Sequence, residues 1–243
     1  MDVRADALQA QVETVPTDGA RMPPRSKWRR LFGILTVVGL PILLYLAFGF
    51  APEDAQQGPA QRIFYIHVPS AWLGFLGFFV VFVASIAFLA TKKRRYDDIA
   101  SSSAEVGMIF TTGVLITGPL WGRPVWGVYW TWDPRLTSFL MLWLIYASYL
   151  VLRGYVPEPA RRATYSAVLG IVGFLDVPIV YLSTRWWRSE HPTQFVLEGG
   201  ELPKAMLVTL MVGLSVFTVL FLYLLTVRIR VARLRQLNEE VEA

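Results

Sequence analysis

The sequence predicts an all-α fold, a polytopic membrane bundle of six transmembrane helices with both termini cytoplasmic and a tryptophan-rich outer loop. Three observations carry this expectation. Of the 243 residues, 54% are hydrophobic and only 17% charged, with a mean hydropathy of +0.45, too apolar for an ordinary soluble domain. Apolar runs of roughly the 20 residues that a helix needs to cross a bilayer core recur along the chain, with charges held at their ends. The segments between those runs alternate between rich and poor in Lys and Arg, as the connections of a multi-span protein do.

The runs lie at about residues 31–50, 69–90, 104–120, 136–152, 163–183 and 205–227. Residues 1–24 are polar and proline-containing, and are expected to form a disordered cytoplasmic tail. The first run is expected to remain as a span and not be cleaved as a signal peptide, because no small-residue cleavage site follows it and Pro41 interrupts it. Asp133-Pro134 ahead of the fourth run reads as an N-cap followed by proline at the first helical position. The fifth run contains Asp176, with Pro178 two residues on, where the helix is expected to kink. A carboxylate at such depth costs about 2.5–3.5 kcal/mol, so it calls for a hydrogen bond into the bundle or a functional role in a cavity. The whole of 25–230 then forms one membrane domain, and 231–243 a cytoplasmic C-terminal tail.

Orientation follows from the cations. Residues 1–30, 91–98, 153–162 and the C-terminal tail carry most of them, whereas Arg62, Arg123, Arg135, Arg185, Arg188 and Lys204 are all that the other connections hold. The basic side is the cytoplasmic one, which puts both termini there. The formal charge of +5 therefore reports topology; no basic, aromatic-interleaved soluble face remains for nucleic acid. Glu105 falls at a cytoplasmic helix end and carries no functional expectation.

Three outer segments remain, and the chemistry concentrates there. Cysteine is absent, which removes thiolate metal sites, a catalytic thiol and disulfides, and leaves His67 and His191 as the only imidazoles. His67 is in the first outer segment, at the start of the second span, and His191 is in the third. Between them in sequence, Trp121, Trp126, Trp130 and Trp132 join Tyr129, with Gly122, Gly127 and Pro124 interspersed. Indoles favour the headgroup region, so an aromatic belt is the plain reading, and it suffices for Trp28, Trp72 and Trp143. Four tryptophans so close together also make a surface suited to a broad, planar, hydrophobic ligand. Trp126, Trp130 and Asp133 would align if this loop formed a short helix. Each histidine taken alone could simply bond a loop carbonyl. Two of them flanking an aromatic platform suggest instead a pair of axial ligands for haem iron. Arg123, Arg135, Arg185 and Arg188 stand where guanidinium groups could pair with its propionates.

The string WGRPVWGVYWTWDPRLTS resembles the tryptophan-rich "WWD" signature of haem-handling membrane proteins. With GFAPEDAQQGPAQRIFYIHVPSAW and DVPIVYLSTRWWRSEH, the chain from about residue 30 resembles the cytochrome c maturation protein C family, also called haem exporter protein C. The resemblance implies that His67 and His191 are axial ligands of transiently bound haem b. It implies that Trp121, Trp126, Trp130, Trp132 and Asp133 belong to the haem platform. It further implies a multi-pass protein of the bacterial inner membrane whose periplasmic loops pass haem to the pathway's haem chaperone, protein E. The other partners so implied are the small single-span protein D and the ABC-type subunits A and B. Tyr129-Trp130 departs from the paired tryptophans common in the signature, and Pro134 takes a commonly small position.

No nucleophile, phosphate loop or acid/base pair is evident, so no enzyme activity is expected beyond promoting covalent haem attachment to the chaperone. An electron-transfer subunit holding haem at membrane depth would place histidines inside the spans, which this chain does not. A permease-like subunit moving haem or another solute is the alternative; it would show paired broken helices and an internal repeat, and no convincing repeat is present.

Overall fold

The computed structural model describes residues 27–187 and 202–242. Every helix in it follows from an apolar run, and six helical stretches are long and apolar enough to cross a membrane, at Lys27–Phe50, Pro59–Thr91, Arg94–Trp126, Pro134–Tyr155, Pro159–Trp186 and Lys204–Arg235. These contain the six runs read from the sequence. Their cores are α1 (Lys27–Tyr45), α2 (Phe64–Thr91), α3 (Arg94–Trp126), α4 (Pro134–Tyr155), α5 (Pro159–Phe174), α6 (Asp176–Trp186) and α7 (Lys204–Glu242). A π-helical turn, Leu46–Phe50, ends the first span, and a 3₁₀ turn, Pro59–Ile63, leads into α2.

The helices α2 and α3 form the centre. Around them α5 and α7 lie against α2, α4 and α7 lie against α3, and the outer elements lean on these, α1 on α7 and α6 on α4. Small residues let the central pair approach closely. A Cβ on Gly77 would stand 3.0 Å from Gly107 Cα, so only glycine fits at this crossing. Ser103 seals the crossing by donating from Oγ to the Gly77 carbonyl at 3.0 Å. This explains why α3 starts ten residues before the predicted run at 104: the polar-looking stretch Ala100–Ala104 is small and buried, packed into the bundle and not solvated.

Aromatic rings fill the layer between α2, α4 and α5. Phe78 stacks on Tyr146 with centroids 3.6 Å apart, and the Tyr146 hydroxyl donates to the Gly170 carbonyl on α5 at 3.1 Å. At the end of the bundle opposite His67, Arg153 grips Asp97 through two hydrogen bonds of 2.6 and 2.9 Å, tying α4 to α3. Arg228 of α7 pairs with Glu105 of α3. Glu105, which carries no signal in the sequence, is therefore a tie between helices.

The fifth span is interrupted as its proline predicts. The Pro178 ring opposes the carbonyl of Phe174, four residues earlier, and Phe174 is where α5 ends. Leu175 closes the last turn with a tighter bond to Val172, and α6 begins at Asp176. Asp176 Oδ2 is buried without a hydrogen-bond partner, so the bond into the bundle expected for this carboxylate is not made by that oxygen.

Candidate functional site

The tryptophan-bearing end of the bundle is assembled from the 51–63 connection, the first turns of α2, the last turns of α3, the 127–133 connection and the tip of α6. Arg62 holds its base. Its guanidinium donates to the carbonyls of Ala47 (2.9 Å) and Phe48 (2.5 Å) and reaches Glu53 at 3.3 Å, so the open C-terminal end of the first span is capped from the 3₁₀ turn. Next to it, Asp54 Oδ1 accepts from the backbone N–H groups of Gln56 and Gln57 at 2.9 and 2.8 Å. That tight turn fixes where the Gln57 side chain starts.

From Gln57 a chain of contacts leads to His67. Gln57 Oε1 accepts from the Trp121 indole N–H at 2.9 Å, and the Trp121 ring meets the His67 imidazole edge to face, centroids 5.6 Å apart. Phe64 closes on the same indole at 6.0 Å. His67 Nδ1 lies 2.8 Å from Thr117 Oγ1. Thr117 and Trp121 are one turn apart on α3, so the imidazole is held between two residues of a single helical face. His67 is on the first turns of α2, the span start that the sequence indicated, and its partners are helical too.

Beyond Trp121 the platform residues separate. Arg123 and Trp126 are on the last turn of α3, which stops because Gly127 adopts φ +80°, a left-handed cap closed by its N–H bonding to the Arg123 carbonyl at 3.0 Å. The aligned short helix through Trp126, Trp130 and Asp133 therefore does not form: Gly127 ends the helix, and residues 130–133 run without regular structure. Trp130 and Trp132 pack edge to face at 5.8 Å, with Trp132 76% exposed, and Arg123 lies over the Tyr129 ring at 5.7 Å. Asp133 caps α4 as the sequence indicated, accepting from the Arg135 N–H at 2.8 Å, with Pro134 in the first turn. Arg135 is in electrostatic reach of Tyr181 on α6, which brings the start of α4 beside that helix. At the tip of α6 Trp186 and Trp187, both exposed, pack edge to face at 5.8 Å. His191 and Arg188 fall outside the described residues.

The family model described as "Heme exporter protein C" matches residues 18–242. The chain belongs to the heme exporter protein C family. It is 41% identical over 204 residues to heme exporter protein C of Bradyrhizobium diazoefficiens, covering 82% of this chain and 77% of that protein. To heme exporter protein C of Haemophilus influenzae it is 33% identical over 210 residues, 85% of each chain. A putative cytochrome c biosynthesis ccmC-like mitochondrial protein of Arabidopsis thaliana is 35% identical over 205 residues, 82% and 78% of the two chains.

For a member of the heme exporter protein C family, the donor set at this end is chemically apt. Among the described residues no three His, Asp or Glu side chains converge as they would to cage a bare metal ion. A porphyrin already supplies four nitrogens to its iron, so one or two imidazoles from the protein suffice. His67, held in place by an indole and a hydroxyl, offers one. Exposed indoles offer apolar faces to a macrocycle, and Arg123 offers an exposed cation for a carboxylate. Sequence reasoning singled out His67 and the tryptophans but missed Thr117 and Gln57. Thr117 is legible only once its spacing of four from Trp121 is set on a helix facing His67. Gln57 gives no sequence signal, since its contact with Trp121 joins residues 64 apart, across α2 and most of α3.

Proposed function

We propose that this heme exporter family protein binds haem, its cargo, at the periplasmic face of the bacterial inner membrane and delivers it to the haem chaperone of c-type cytochrome maturation. His67 and His191 supply the axial nitrogens, and Trp121, Trp126, Trp130, Trp132 and Asp133 form the platform. Arg123, Arg135 and Arg188 are the candidate propionate partners. The observation that carries this reading is the His67 imidazole fixed between Thr117 and Trp121 at the tryptophan-bearing end of the bundle.

The cargo is haem b held transiently. Two imidazoles saturate the iron and suppress oxygen chemistry, while a site at the membrane edge keeps the rest of the macrocycle open to a partner. The chaperone (protein E) docks there with the single-span protein D, and the ABC-type subunits A and B serve the loaded chaperone. The chain itself is a handling protein and not an enzyme; it promotes covalent attachment by presenting haem in place. The test is to co-express it with the chaperone and stain the chaperone for covalently attached haem. His67→Ala should lower the stained chaperone at least about tenfold, by analogy with loss of a metal ligand's support. Undiminished staining in His67→Ala would refute the reading.

A further inference from the structure

Thr117 Oγ1 is 2.8 Å from two groups at once, the Gly113 carbonyl oxygen one turn back on α3 and His67 Nδ1. A hydroxyl has one proton and two lone pairs. If that proton pointed at His67, the hydroxyl oxygen and the carbonyl oxygen would face each other at 2.8 Å, lone pair against lone pair, with no proton between them. The arrangement is satisfied when Thr117 donates to the Gly113 carbonyl and accepts from the imidazole. His67 then carries its proton on Nδ1, and Nε2 carries the lone pair.

We propose that Thr117 is the positioning residue for His67: its hydroxyl accepts from Nδ1–H, selects the tautomer whose Nε2 can ligate iron, and with Trp121 fixes the plane of the ring. The inference rests on the proposed role of His67 as a haem ligand. Three hydrogen bonds hold in place the residues that touch the imidazole. Thr117 is anchored to α3 by its own back-bond. Trp121, one turn on, abuts the imidazole and is itself tethered through its indole N–H to Gln57. Gln57 is in turn fixed by the Asp54 turn. A ligating histidine ordinarily donates its second N–H to a protein acceptor, which fixes tautomer and orientation and raises the basicity of the ligating nitrogen. Carbonyls and carboxylates usually fill that role. Here a threonine inside an apolar span does so without adding a charge to the membrane.

The test needs no haem for its first reading. With nitrogen-15 labelled histidine in the full-length protein in detergent at about pH 8, where an ordinary imidazole is neutral, His67 is assigned by comparison with His67→Ala. The wild type is expected to show Nδ1 protonated and Nε2 unprotonated. Thr117→Val, equal in shape but without the hydroxyl, should give a mixture of tautomers and bind haem about tenfold more weakly. Thr117→Ser should restore both. A wild-type His67 protonated on Nε2 would overturn the proposal even if Thr117→Val failed to fold. An unchanged tautomer and haem affinity in a folded Thr117→Val would overturn it too. If instead His67→Ala binds haem as the wild type does, the ligand reading itself fails, whatever the tautomer.

Discussion

Asp133 is the N-cap of α4. Its carboxylate accepts from the Arg135 N–H at the start of α4, in a buried position. Asp133→Ala should cost about 1 kcal/mol of stability, and Asp133→Asn a few tenths, because asparagine caps nearly as well. Thermal unfolding of the purified protein measures both. If Asp133→Asn unfolds like the wild type yet loses haem, the side chain serves the platform as well as the cap. His67 shows the same division between what residues announce and what geometry adds. One of only two imidazoles in a cysteine-free chain is conspicuous, while the threonine that holds it looks like any hydroxyl in a span.

At the scale of elements, the spans were legible because apolar length is a direct consequence of bilayer thickness. Their true ends were not. The helix α3 reaches from Arg94 to Trp126 because small buried residues extend it at one end and Gly127 stops it at the other. Neither cause registers as hydropathy. The break in the fifth span was legible from Pro178, since a missing N–H and a ring clash act locally. A second broken helix, which the permease alternative would want as its counterpart, is absent among the described α-helices; α1 runs through Pro41 uninterrupted. The ion pairs at the far end were not legible, because Asp97 and Arg153 meet only through the packing of α3 on α4. Their side chains are only 11% and 17% exposed, so removing one partner strands a buried charge. Arg153→Met should therefore destabilise by on the order of 3 kcal/mol, and adding Asp97→Leu should recover most of the loss. Denaturant unfolding in detergent decides this; a double variant no better than the single would show that the pair contributes attraction beyond its desolvation.

The whole molecule is a bundle whose two ends differ in kind. One end is tied by Asp97–Arg153 and Glu105–Arg228, and the other presents aromatic rings and the held imidazole. The cation distribution predicts that the ion-pair end and both termini face the cytoplasm. Reporter fusions at residue 243 and in the 127–133 connection test this: the first should be active only as a cytoplasmic reporter, the second only as a periplasmic one. Reversed activities would place the aromatic end on the wrong side for a periplasmic chaperone.

The most direct test of haem ligation is the optical spectrum of the purified protein after co-expression with the chaperone, wild type against His67→Ala and His191→Ala. A six-coordinate bis-histidine spectrum is expected in the wild type, weakened or shifted in each single variant. Wild-type protein without haem, or two variants with the wild-type spectrum, would contradict it.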